Sequence, residues 1–265
     1  MDRQHIECSV GNLKVGKDTI ILNITSAKDC ESLKRGLCQV PEGKCYALRA
    51  ETQYPQVLPY RRRQTKLWDS LTPEEIAEDV KSLVNHKRKI PVKFLRMQEA
   101  GDFRNQGDVD KVSRLADLLR GTVTVYTYTA RRDLDFSRIS SNLVVNGSNF
   151  MVSNNFKVTQ KIEKGPACRG IAGGGCYGCK LCKTKGGKVI QELLRGGGKS
   201  ANIKDDTSEH GGVAESAGTE LEPEMGGIGN AQQGGLSASL KGKKFKRTTK
   251  KWRGDSPPTT FGGIR

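Results

Sequence analysis

Histidine is scarce in this sequence, with three residues in 265, so a catalytic relay built on imidazole has little material. There is no G-x-S-x-G elbow and no P-loop with the full G-x-x-x-x-G-K-S/T spacing, which removes the two commonest signatures of serine hydrolases and phosphate-cradling NTPases. No apolar run approaches the ~20 residues that a membrane span needs. The opening Met1-Asp2-Arg3-Gln4-His5 does not begin a signal peptide. The expectation is therefore a cytoplasmic chain with no membrane partner, in a compartment that keeps thiols reduced. Eight cysteines are present all the same. In such a compartment, close cysteine spacing points to metal rather than to disulfides.

Apolar residues make up only 35% of the chain and charged residues 28%. The apolar runs lie almost entirely before about residue 195, so the core belongs there and residues 1–195 read as one domain. From Gly196 onward, Gly- and Ser-rich stretches surround an acidic segment with Glu215, Glu220, Glu222 and Glu224. A basic run follows, with Lys241, Lys243, Lys244, Lys246, Arg247, Lys250, Lys251 and Arg253. Too few apolar residues remain there to offset the entropy of ordering, so residues 196–265 read as a disordered tail. The net charge of +16 favours anionic partners such as nucleic acid or nucleotides. Phe245 and Trp252 in the basic run would suit nucleic acid or the acidic face of a partner, and a solubilising tail has the same composition.

Within the body, Thr19-Ile20-Ile21-Leu22-Asn23-Ile24-Thr25 reads as a buried strand. A cysteine-bearing loop follows, then a mostly helical stretch to Trp68 interrupted by Pro55 and Pro59. Thr72-Pro73-Glu74-Glu75 opens a helix with the spacing of a capping box. A strand over residues 91–97 comes next, then a helix with Val109, Val112, Leu115, Ala116 and Leu119 on one face. A strand over 122–129 follows, and after it two short apolar pieces, 143–146 and 150–152. Alternating strands and helices predict an α/β fold, a parallel sheet or partial barrel. The cysteine loop, residues 99–102 and Arg131-Arg132-Asp133 then fall at the C-terminal strand ends, where such folds carry their chemistry.

The cysteines form two groups. Cys168, Cys176, Cys179 and Cys182 follow C-x7-C-x2-C-x2-C. Two intervening residues let neighbouring sulfurs face one ion, and Gly173, Gly174, Gly175 and Gly178 supply the backbone freedom such a wrap requires. The run suits an iron–sulfur cluster or zinc; it resembles a ferredoxin-type C-x2-C-x2-C but lacks the following Cys-Pro. Cys30, Cys38 and Cys45 are more loosely spaced, C-x7-C-x6-C. Three thiolates can hold a cubane 4Fe-4S cluster with one iron open to a ligand. Zinc is the alternative, with His5 or Cys8 available as a fourth ligand, although an isolated Cys8 fits a core position better.

The order Gly11-Asn12-Leu13-Lys14-Val15-Gly16-Lys17-Asp18, Cys45-Tyr46-Ala47, Tyr54-Pro55-Gln56-Val57, Ala100-Gly101-Asp102-Phe103 and Tyr126-Thr127-Tyr128-Thr129 resembles the bacteriophage "gene 88" family over about residues 10–190. That resemblance implies a phage protein working in the bacterial host cytoplasm. The family in turn resembles a divergent radical S-adenosylmethionine (SAM) barrel. Such enzymes carry three cysteines in the loop after the first barrel strand, with an aromatic beside the last, here Tyr46. Their spacing is C-x3-C-x2-C, from which this chain departs. Their acid-containing segment after the second strand maps onto Glu99-Ala100-Gly101-Asp102, and the Cys168 group would correspond to an auxiliary cluster.

The remaining candidates follow from position. Glu99 and Asp102 suit a cofactor amine or proton transfer, and Asp102 could instead cap the next helix. Arg61 and Arg62 suit phosphates or a cofactor carboxylate, or a solvated helix face. Tyr128, alternating with Tyr126, suits base stacking or core packing beside a polar site. The leading expectation is an iron–sulfur protein, a radical SAM-like enzyme acting on a nucleotide, nucleic acid or peptide. A zinc-stabilised nucleic-acid-binding protein without catalysis is the alternative, and a protein that binds a host partner is a third.

Overall fold

The computed structural model describes residues 3–11, 15–40, 42–168 and 175–193. The disordered tail expected from Gly196, its basic run, and Gly173 and Gly174 lie outside the described residues.

The elements run β1 (Ser9–Val10), β2 (Thr19–Leu22), α1 (Glu31–Lys34), α2 (Tyr46–Gln53), α3 (Val57–Ser70), α4 (Pro73–Asn85), β3 (Phe94–Met97), α5 (Gln106–Leu118), β4 (Thr124–Thr129), β5 (Leu143–Ser148), β6 (Asn154–Thr159) and β7 (Val189–Leu193). The strands form one sheet in chain order. β1 pairs antiparallel to β2, and every later pair is parallel. Each parallel step advances in the same direction, which is the winding of an open barrel. The α/β parallel-sheet expectation is met.

The helices cover one face of the sheet. Ile20, Leu22, Leu95, Met97, Val125 and Val145 pack there against Trp68, Ile76, Val80, Val109, Val112 and Leu115 in the main core. Alternation along the strands sends Phe94, Arg96, Tyr126, Tyr128, Phe156 and Glu192 to the other face. The ends of the helices follow their local chemistry. Thr72 and Glu75 form the expected capping box, with Pro73 at the first turn. The cap of α5 is Asn105, whose side chain accepts from the Asp108 amide, so Asp102 is not a helix cap.

Of the two short apolar pieces, 143–146 falls in β5, whereas 150–152 lies between β5 and β6, with Met151 49% exposed. β6 starts instead on Asn154-Asn155, and β1 and β7 are further strands that alternation did not single out. Parallel neighbours ordinarily need a crossover of a dozen or more residues, whereas β5 and β6 are joined by residues 149–153. Gly147 permits this tight return, because a Cβ there would lie 2.4 Å from the Phe150 carbonyl oxygen.

Candidate metal and ligand site

Cys30 and Cys45 occupy the cap positions of α1 and α2, with Cys38 between them. Burial pushes the Cys30 thiol up to about 11, while the Leu33 and Ser32 amides donate to its sulfur and oppose that rise. Burial also raises Cys38, against a hydrogen bond from the Val40 amide. Amides aimed at sulfur stabilise a thiolate once a cation is bound.

Two buried carboxylates fix this loop. Glu51 on α2 accepts from the Ala27 and Lys28 amides at 2.7 and 2.9 Å, tying α2 to the end of the segment that leaves β2. Arg61 pairs with Glu51 at 2.7 Å and also donates to the Ala47 carbonyl at 3.1 Å. Asp102 accepts from Ser32 Oγ at 2.6 Å, Thr129 Oγ1 at 2.7 Å, and the Ala130 and Phe103 amides at 2.8 Å each. It thereby joins the loops that follow β2, β3 and β4. Burial pushes its carboxyl up, and those four hydrogen bonds oppose the shift.

The second cysteine group lies against the face of the sheet away from the helices. Asn146 donates to the Thr127 and Cys182 carbonyls, both at 3.0 Å. Asn154 donates to Asn146 Oδ1 at 3.0 Å and to the Thr184 carbonyl at 2.9 Å. Lys183 is buried, with its ammonium 3.6 Å from Asp18, 3.2 Å from the Cys176 carbonyl and 4.2 Å from the centre of the Phe94 ring. Cys168 joins through its amide, which donates to the Gln191 carbonyl at 2.7 Å. Burial pushes the Cys182 thiol up to about 12, Tyr128 hydrogen-bonds to it, and Cys168, Cys179 and Cys176 stand near enough to act on its charge.

A cavity of about 220 Å³ is lined by Cys168 and Cys176 of the second group, by Val40 and Lys44 of the first cysteine loop, and by Tyr46, Arg96, Glu99 and Tyr128. Tyr46 donates to the Glu99 carbonyl at 2.5 Å, and Asn23 Oδ1 accepts from the Glu99 and Ala100 amides at 2.8 and 3.2 Å. The turn carrying Glu99 begins at Gln98, which holds a left-handed φ of 58°. Such backbone strain in a non-glycine residue clusters at functional sites. Glu192, at the far wall, is pushed up to about 7 by burial, with Arg96 opposing.

The expected site residues therefore divide. Tyr46, Tyr128, Glu99, Cys168 and Cys176 border the cavity. Asp102 is a buried hub between loops, and Arg61 is sealed against Glu51. Arg62 is exposed and pairs with Asp29 at 2.9 Å. Asn146, Asn154 and Lys183 were missed. A polar residue inside an otherwise apolar strand was the available signal for Asn146.

Sulfur donors in both groups suit the chemistry of iron–sulfur clusters and of zinc. Among the described residues, no three His, Cys, Asp or Glu side chains stand in a ready ligand arrangement. His5 is engaged with Asp79 at 2.7 Å, and Cys8 packs against the main core, where burial pushes its thiol up to about 12.

The family model of Gene product 88 matches residues 8–168, more than half of the chain. The chain belongs to the Gene product 88 family. The match takes in Cys30, Cys38, Cys45 and Cys168 and ends before Cys176, Cys179 and Cys182. In this Gene product 88 protein the matched region thus carries β1 to β6 and most of the cavity wall. No curated protein and no solved structure gives a significant match. Among the described residues no helix is long and apolar enough to cross a membrane.

Proposed function

We propose that this protein is an iron–sulfur enzyme of radical SAM-like type, with Cys30, Cys38 and Cys45 holding a 4Fe-4S cluster and the Cys168 group holding a second centre. The observation that carries the reading is convergence. Val40 and Lys44, which lie between Cys38 and Cys45 in the loop after the first parallel strand, line the same cavity as Cys168 and Cys176, more than a hundred residues later. When bound, a cluster with an open iron would supply electrons to SAM, so that a hydrogen atom can be taken from a substrate.

The chain's own residues have distinct tasks in this reading. Leu33, Ser32 and Val40 amides stabilise the thiolates. Glu51, Arg61 and Asp102 position the loop, and Asp102 acts through Ser32 rather than on a ligand. Glu99, held by Asn23 and Tyr46, offers a carboxylate to a cofactor amine. Asn146, Asn154 and Lys183 keep the second group against the cavity's other wall.

Anaerobic purification followed by iron and sulfide analysis tests the proposal. The expected result is coloured protein with iron and acid-labile sulfide, lost on replacing Cys30, Cys38 and Cys45 together by serine. Colourless protein holding zinc alone would overturn it and leave the zinc-stabilised nucleic-acid-binding reading. The body's arginines favour that reading less than the net charge suggests. Arg62, Arg63, Arg104, Arg114 and Arg120 are each paired with a carboxylate on the protein's own surface.

A further inference from the structure

Arg96 differs from the arginines above in lining the cavity, where Tyr46 hydrogen-bonds to it and the Glu99 and Glu192 carboxylates act on its charge. It projects from β3 into the cavity wall, and its guanidinium lies 5.3 Å from the centre of the Tyr128 ring. Its Nε is sealed from water and has no hydrogen-bond partner among the described residues. Leaving a buried donor unmade is costly, and a ring beneath the cation offsets only part of that cost. The sealed Nε fixes no ligand itself, but a guanidinium held in one orientation in a cavity wall is preorganised for an anion, because its planar fork matches carboxylate and phosphate oxygens.

The surroundings set the rest of the ligand. Tyr128 and Phe156 meet edge to face with ring centres 5.0 Å apart, and Val40, Val158 and Leu193 continue the wall. This surface suits a flat, weakly polar ring. A volume of about 220 Å³ admits one monomer-sized group.

We infer that the cavity binds a small molecule with one anionic group and one planar ring, the anion on Arg96 and the ring against Tyr128 and Phe156. This names the substrate class of the proposed enzyme. It rests on that reading for the reaction performed, and not for binding. Two sources offer the same chemistry, aromatic carboxylates and nucleoside monophosphates.

Calorimetric titration of the full chain, as purified anaerobically, with uridine 5′-monophosphate and 4-hydroxybenzoate, and with uridine and phenol as neutral counterparts, tests the inference. At least one anionic probe is expected to bind at least ~10-fold more tightly than its counterpart, a difference of about 1.4 kcal/mol. Which of the two does so identifies the source. Arg96→Met should remove that preference and Arg96→Lys should keep part of it, with folding checked by circular dichroism. Equal binding of charged and neutral probes, no binding of either anion at millimolar concentration, or an unchanged preference in folded Arg96→Met would overturn the inference. The wild-type comparison decides even if the variants fail to fold. Zinc-only protein that still selects the anion would sink the iron–sulfur reading and leave this inference standing. Iron-loaded protein without selectivity would do the reverse.

Discussion

Arg61→Met removes the cation from an ion pair whose side chains are 7% and 0% exposed, while keeping most of the arginine's length and apolar bulk. Glu51 would retain its hydrogen bonds from Ala27 and Lys28 at 2.7 and 2.9 Å but lose its charge partner. Breaking a buried pair from one side costs about 3–5 kcal/mol, and the two remaining amides place this case near ~3 kcal/mol. That is a large fraction of a total stability of about 5–15 kcal/mol. With a urea slope of about 1–3 kcal/mol/M, the unfolding midpoint should fall by about 1–3 M. Urea denaturation of Arg61→Met, Glu51→Gln and the double variant, followed by circular dichroism, measures it. Glu51→Gln should cost less in the Arg61→Met background than in wild type, because the amide no longer abandons a buried cation. A single Arg61→Met variant within ~0.5 kcal/mol of wild type would refute the anchoring argument. The effect of Arg61 should then appear in cofactor affinity instead, in line with the phosphate or carboxylate role expected of Arg61 and Arg62.

Gly147→Ala should lower stability by about 1–3 kcal/mol, since its Cβ would meet the Phe150 carbonyl at 2.4 Å; a thermal midpoint unchanged within error would show that the β5–β6 return tolerates a side chain. Asp108 is raised by burial but lowered further by hydrogen bonds from Arg104, the Arg104 amide and Trp68, with a net shift downward. A depressed folded value means that its stabilisation is complete above the unfolded value of about 3.9 and is lost as pH falls through the folded one. Asp108→Asn should therefore flatten the acid side of the stability–pH curve below about pH 4, and parallel curves for the two proteins would contradict this. Lys183→Met leaves Asp18 without its ammonium and frees the Cys176 carbonyl. Metal per chain after desalting should fall, while an unchanged metal content would show that Lys183 does not hold the second group in place.

What could be read from the sequence was whatever local pattern decides. The Thr72–Glu75 box, the α5 stripe and the apolar run of β2 need only their own neighbours, and each forms where expected. The proximity of Cys168, Cys176, Cys179 and Cys182 was legible because their close spacing in the chain keeps them near one another, and the first three act on the charge of the Cys182 thiol. β6 was not legible, because it opens on Asn154-Asn155 and gains its place from partners distant in the chain. Asn154 is wholly buried only because Asn146 and the Thr184 carbonyl meet it across the sheet. Asp102 and Arg61 illustrate the same limit. Their residue types suit catalysis and anion binding equally well, and tertiary partners turned both into anchors of the cysteine loop.

Those anchors fall into two sets with no side chain in common. Glu51, Arg61 and Asp102 hold the Cys30, Cys38 and Cys45 loop, whereas Asn146, Asn154 and Lys183 hold the Cys168 group. Two centres coupled through a shared anchor would be lost together. Two centres with separate anchors, as proposed here, should be lost one at a time. Replacing Cys30, Cys38 and Cys45 by serine should then leave the metal of the second group in place, and replacing Cys176, Cys179 and Cys182 should leave the first. Metal-to-protein ratios of the two triple variants that sum to the wild-type value would establish independence. Complete loss in either variant would mean that the cavity itself depends on both centres, with each wall of the ligand site formed only when the other is loaded.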